Sequence, residues 1–129
     1  MAKDYSRTQR VADFLHEELA RLVQHAVRDP RVTLVNITAV SVSRDLSYAK
    51  VYYTQLGLDN AEQAAELTGV LNRAAGFLRS QIARASTMRT TPRLSFVFDE
   101  SVGRGRDMET LLREVRAVDA SRQIADEEE

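Results

Sequence analysis

Between residues 28 and 32 the apolar residues change their period, and that change bounds the folds open to this chain. Before it, Val11, Phe14, Leu15, Leu19, Leu22, Val23, Ala26 and Val27 recur at i, i+3, i+4 spacing and form one apolar stripe. The stripe predicts a helix over about residues 6–28, with Ser6 as its N-cap. Asp29-Pro30 ends it, because the residue before a proline is pushed out of the helical region. After it, "VTLVNITAVSV" is rich in Val, Ile and Thr and reads as a strand. Its alternation slips: Val35, Ile37 and Ala39 share one parity, and Val40 and Val42 take the other. A bulge near Ala39 and Val40 reconciles them.

The rest of the chain continues the mixture. "SRDLS" is a turn, and "YAKVYYTQL" is the returning strand of a hairpin. Ala49, Val51 and Tyr53 lie on one face of that strand, with Lys50, Tyr52 and Thr54 on the other. Asp59 or Asn60 caps a second helical pattern over about residues 61–85, interrupted near Gly76. "STMRTTPR" is a loop, and "LSFVF" is a third strand with Leu94, Phe96 and Phe98 facing the core. "DESVGRGRD" is a loop, and "METLLREVRAV" makes a short final helix. No internal repeat is present. Helix, strand, strand, helix, helix, strand is the order of an α+β domain whose three-stranded sheet is covered by helices.

Charge needs to be read by segment. The whole chain of 129 residues carries −1. Residues 119–129, "DASRQIADEEE", hold five acids and one arginine, a net −4. The other 118 residues carry 17 basic and 14 acidic groups, a net +3. The expected organisation is therefore one mildly basic domain over residues 1–118 and an acidic, disordered tail over 119–129. The absence of cysteine removes disulfides, thiolate metal sites and a cysteine nucleophile. "MAKDYSRTQR" has no apolar core of a signal peptide, and no apolar run approaches the roughly 18 residues a membrane span needs.

One stretch stands out. From Leu67 to Phe98 there is no Asp or Glu, but there are five arginines: Arg73, Arg79, Arg84, Arg89 and Arg93. An ordinary exposed helix mixes both signs, which supplies i,i+4 pairs. An unpaired positive face suits a phosphate backbone, and Ser80, Ser86, Thr87, Thr90 and Thr91 add neutral donors. Gly76 sits inside this block, where a glycine costs about 1 kcal/mol relative to alanine. Two readings explain it: a kink that lets something approach the backbone closely, or a C-cap between two packed helices. Both make the chain turn there.

Catalysis finds little support. His16 and His25 are nine residues apart on one helix and point in roughly opposite directions. There is no G-x-S-x-G, H-E-x-x-H or P-loop. Asp99 and Glu100 follow a strand end, with no nucleophile, second acid or metal ligand beside them in sequence.

The α-β-β-α-α-β order resembles a type II KH domain, which grips nucleotide backbone with a G-x-x-G loop between two helices. No G-x-x-G occurs in this chain. Ala74-Ala75-Gly76 stands at the equivalent junction, and an A-x-G helix kink in that place resembles the bacterial ribosome-binding factor A family. "RTQRVADFLHEELARLV", "RDPRV", "VSVSRDLSYAKVYYT" and "AAGFLRSQIARASTMRTTPRLSFVFDES" are similar to the same family, so the resemblance covers the chain to about residue 118. It implies a cytoplasmic, monomeric, non-enzymatic assembly factor without metal or cofactor. Its partners would be the free 30S subunit and 16S rRNA, with late rRNA maturation, 5′-end processing and growth in the cold as its setting, and an assembly GTPase promoting release. The short acidic tail departs from the family pattern and puts RNA contacts by the tail in doubt. Arg73, Gly76, Arg79, Arg84, Arg89 and Arg93 are the first candidate RNA contacts; Lys3, Arg7, Arg10, Arg31, Arg44 and Lys50 complete the set. The alternative is a protein-interaction module of the same shape without direct RNA contact.

Overall fold

The Ser6 hydroxyl accepts the Gln9 amide at 3.2 Å and opens helix α1 (Arg7–His25) in the computed structural model, as the capping pattern expects. The structure describes residues 6–32, 34–101 and 108–119. The helix ends three residues short of the expected position 28, with the Ala26 amide bonded to Leu22 O. The next turn is built on Asp29. Its carboxylate accepts the Arg31 amide at 2.9 Å and the Arg31 guanidinium at 2.7 and 3.0 Å, which organises the turn before a short 3-10 segment, Pro30–Val32.

Strands β1 (Val35–Val42), β2 (Tyr48–Gln55) and β3 (Arg93–Phe98) form one sheet in that order. β1 and β2 are antiparallel; β2 and β3 are parallel. The parallel pair requires a long crossover, supplied by helix α2 (Ala65–Ala85). The register shifts between Ile37 and Ala39, so the bulged residue is Thr38, one position before the expected Ala39–Val40. The bulge lets Ile37 face the core before it and Val40 and Val42 pack on the core after it.

The expected break at Gly76 is not there. Residues 65–85 are a single helix, and Gly76 is not among the residues with positive φ. The two expected helical pieces are one element, so the order up to Phe98 is α, β, β, α, β, and the helix of residues 108–119 follows in sequence. Leu67, Val70, Leu71, Leu78 and Ile82 are buried along one face on both sides of the glycine. Each such side chain gains roughly 1.5–3 kcal/mol on burial, against about 1 kcal/mol for the glycine, so the continuous face wins. The start also differs. Asn60 Oδ1 accepts the Gln63 amide at 2.9 Å and organises a turn over residues 61–64, and the helix begins at Ala65 without a side-chain cap.

The core lies between the inner sheet face and the two helices. Ala49, Val51, Tyr53, Leu94, Phe96 and Phe98 meet Leu15, Leu19 and Val23 of α1 and Leu71, Leu78 and Ile82 of α2. Tyr53 is fully buried, edge-on to Phe98 at 5.6 Å, with its hydroxyl 2.5 Å from Thr68 Oγ1. Burial pushes its phenol above the usual tyrosine range.

The chain divides into two units, residues 1–99 and 100–129. In the second, residues 108–119 are helical, in agreement with the sequence reading of residues 108–118. Met108, Leu111, Leu112, Val115 and Val118 are exposed along it.

Candidate nucleic-acid interface

Arg79 on α2 turns its Nε to Thr91 O at 2.9 Å and ties the loop of residues 86–92 to the helix. The Met88 amide donates to Ser86 Oγ at 2.9 Å, and Pro92 is buried, so the loop is held at both ends. A hollow of about 370 Å³ lies between helix and loop, lined by Gly76, Arg79, Ser80 and Ala83 on one side and residues 88–91 on the other. A methyl group built on Gly76 meets nothing within 4 Å. The space beside this glycine is the hollow itself.

A second hollow of about 330 Å³ adjoins the first through Met88, Arg89 and Thr90, which line both. Its other walls are Arg7, Thr8 and Val11 of α1 and Arg44, Asp45 and Leu46 of the hairpin turn. Local hydrogen bonds build that turn: Asp45 accepts the Ser43 hydroxyl at 2.8 Å and the Ser47 amide at 3.1 Å. Those bonds hold the Asp45 carboxyl below the usual carboxylate range, Ser43 foremost. Leu46 takes a left-handed conformation, with φ of 61°, and packs against the core.

Four cations, Arg7, Arg44, Arg79 and Arg89, thus edge two adjoining hollows that contain one carboxylate. None of the four forms an ion pair with another described residue. Arginine forks without carboxylate partners are matched to phosphate.

The remaining sequence candidates lie elsewhere. Arg31 is committed to structure: it pairs with Asp29 at 2.7 Å and Glu66 at 2.8 Å, across from the start of α2. These bonds raise its pKa and lower that of Asp29 to about 2. The Arg73 guanidinium reaches back toward Gly69, and its charge also acts on Asp29. Arg84, in the last turn of α2, and Arg10 on α1 are exposed and line neither hollow. Lys50 and Arg93 are exposed on the sheet. Lys3 lies outside the described residues. The single positive face expected from the arginine spacing is therefore two hollows plus separate sites. Thr91, expected as a donor to nucleic acid, is buried, and its carbonyl serves Arg79. Thr8, Asp45, Leu46 and Met88 were missed, because only the fold brings the hairpin turn, the start of α1 and the loop together.

His16 and Asp99 are engaged within the fold. His16 Nε2 donates to Ile37 O at 2.9 Å, and Asp99 accepts the Thr38 hydroxyl at 2.6 Å. Among the described residues no three His, Cys, Asp or Glu side chains are grouped to hold a metal, and no helix is long and apolar enough to cross a membrane.

The sequence pattern of one family, Ribosome-binding factor A, matches residues 7–112. The chain belongs to the ribosome-binding factor A family. The matched span contains every residue of both hollows. A ribosome-binding factor A from Pseudomonas syringae pv. tomato is 51% identical over 123 residues, covering 95% of this chain and 89% of that one. One from Pseudomonas fluorescens is 51% identical over 129 residues, covering 100% and 97%. The crystal structure of ribosome-binding factor A from Thermus thermophilus has a TM-score of 0.61 at 30% identity, over 71% of this chain and 96% of that chain. A Thermus thermophilus ribosome-binding factor A fitted into a cryo-EM map of a 30S complex has a TM-score of 0.54 at 32% identity, over 67% of this chain and 89% of that one. The α+β fold expected from the sequence is shared with these structures.

Proposed function

We propose that this chain is an assembly factor that binds the free 30S ribosomal subunit through 16S rRNA, with the two adjoining hollows as its phosphate-binding surface. The observation that carries this reading is the set of four arginines, Arg7, Arg44, Arg79 and Arg89, that have no carboxylate partner among the described residues and surround hollows that converge on Met88–Thr90. Family membership and the relative fitted into a 30S complex support the partner. The chain acts as a cytoplasmic monomer without catalysis of its own. It assists late 16S rRNA maturation, including processing of the 5′ end, in growth at low temperature, and an assembly GTPase promotes its release.

Sedimentation of the purified protein with separated particles tests the reading. Co-sedimentation with 30S and much less with 70S is expected; equal or preferential association with 50S refutes it. A protein-interaction role has one observation in its favour. Leu56 is 90% and Leu34 66% exposed beside an apolar hollow that also includes Leu58. Loss of 30S binding on Leu34→Ser or Leu56→Ser, with arginine substitutions harmless, would establish that alternative.

A further inference from the structure

The three strands contain no Asp or Glu. Their inner face is apolar and filled by the two helices, so the outer face has to be explained by something else. On the central strand β2, alternation places Tyr48, Lys50 and Tyr52 on that outer face, while Ala49, Val51 and Tyr53 are buried. Tyr48 is 61% exposed, and Tyr52 is half-buried. A central strand is where an outward aromatic is least able to escape the sheet. Two outward tyrosines with a lysine between them combine ring faces with a positive charge on one strand.

The neighbours sharpen the pattern. Arg93 is the register partner of Tyr48, and Lys50 sits between Ser41 on β1 and Ser95 on β3. Tyr52 lies between Ala39 and Val97. Ser41 and Ser95 beside Lys50 are small; Tyr48 stands exposed next to Arg93, and Tyr52 is half-buried with part of its ring open to solvent. The face therefore offers two aromatic rings about 13 Å apart along the strand, at roughly 3.3 Å per residue, with two cations; the carboxylate of Asp99, just past the end of β3, is bonded to the Thr38 hydroxyl of β1 at 2.6 Å. An apolar protein partner has no use for Lys50 and Arg93, and a duplex offers no base faces. Unpaired RNA offers both requirements, bases for the rings and phosphates for the cations.

We propose that the outer sheet face is a second RNA contact, in which Tyr48 and Tyr52 stack on unpaired bases of single-stranded RNA while Lys50 and Arg93 hold its backbone. The proposal rests on the reading of the chain as an RNA-binding factor, and it uses a surface that shares no residue with the arginine hollows. Stacking is tolerant of base identity, so the face selects unpaired strand rather than sequence.

The test uses the full chain and a fluorescently labelled uridine dodecamer, alongside 30S pelleting. Wild type binds the dodecamer. Tyr48→Ala and Tyr52→Ala each weaken that binding by about fivefold or more, while Tyr48→Phe and Tyr52→Phe stay within about twofold, because the ring and not the hydroxyl stacks. A 4-thiouridine dodecamer crosslinks wild-type protein within residues 48–52, a result independent of how well any variant folds. The proposal is overturned if the alanine variants melt like wild type and bind the dodecamer normally, if the phenylalanine variants lose as much as the alanine ones, or if crosslinks map only elsewhere. Alanine variants that bind the dodecamer normally but pellet poorly with 30S would make the face a ribosomal-protein contact, which also overturns it. Wild type that pellets with 30S yet ignores the dodecamer overturns the platform and leaves the 30S reading standing; wild type that fails to pellet removes that reading itself.

Discussion

Gly69 and Gly76 both lie within the continuous helix α2, where alanine is the better helix former, and they differ in what lies beside them. A Cβ at Gly69 approaches only the end of the flexible Arg73 side chain, at 3.4 Å; one at Gly76 projects into the hollow with Arg79 and Arg89. Gly69→Ala and Gly76→Ala should therefore each stabilise the fold by up to about 1 kcal/mol, a rise of several degrees in Tm. Only Gly76→Ala should weaken 30S pelleting, because its methyl group occupies space the RNA backbone needs. A Gly76→Ala protein that is more stable and pellets normally would leave the glycine without a role in binding. Asp29 supplies a different test. Its pKa falls from 3.8 to about 2 through hydrogen bonds from the Arg31 side chain and amide. A carboxyl with a depressed folded pKa stabilises above its unfolded value and loses that contribution as pH falls through the folded one. Thermal melts should show wild type more stable than Asp29→Asn at pH 6, with the difference shrinking between pH 3.8 and about 2.

Helix side chains close both edges of the sheet. On β1, His16 donates to Ile37 O and Gln24 Nε2 to Val35 O at 2.8 Å. On β3, Asn72 takes both backbone groups of Phe96: Phe96 N donates to Oδ1 at 2.8 Å, and Nδ2 donates to Phe96 O at 3.3 Å. Asn72 thus stands where a fourth strand would pair, which guards an edge that would otherwise recruit other chains. Asn72→Ala orphans a buried amide and carbonyl and should lower stability by about 1–3 kcal/mol in denaturant titration. Asn72→Asp should be at least as damaging, because it keeps the acceptor but loses the donor and adds a charge. His16→Gln should be milder than His16→Ala, since glutamine retains a donor.

The net charge of −1 conceals a molecule whose cations and anions do different work. Arg31 is neutralised twice over in the fold, whereas Arg7, Arg44, Arg79 and Arg89 have no carboxylate partner among the described residues. If these four neutralise phosphates, a plot of log K against log salt for 30S binding should have a slope of about −3. Arg44→Gln and Arg89→Gln should each reduce that slope by about one phosphate contact without lowering Tm. Arg31→Gln should do the reverse: a lower Tm and an unchanged slope. A slope near zero in wild type would indicate association driven by contacts other than phosphate.

Local rules written along the chain were enough for the class of fold, the Ser6 cap, the hairpin, the existence of a bulge and the inward parity of Leu94, Phe96 and Phe98. Period and capping act between residues a few positions apart, so they are readable without a fold. The family was legible too, since its motifs are strings of neighbouring residues. Gly76 was misread because its local penalty is visible in sequence, while the buried face of α2 that outweighs it exists only once Leu71, Leu78 and Ile82 meet the sheet. The site was half legible. The absence of acids from Leu67 to Phe98 pointed to the helix and loop that wall the first hollow, but which arginines lack a carboxylate partner depends on residues far away in sequence. Arg31 is lost to Glu66, 35 residues on. Arg7, Arg44 and Arg89 meet only because a helix start, a hairpin turn and a loop converge in space, and such convergence is set by packing between distant segments rather than by any spacing along the chain.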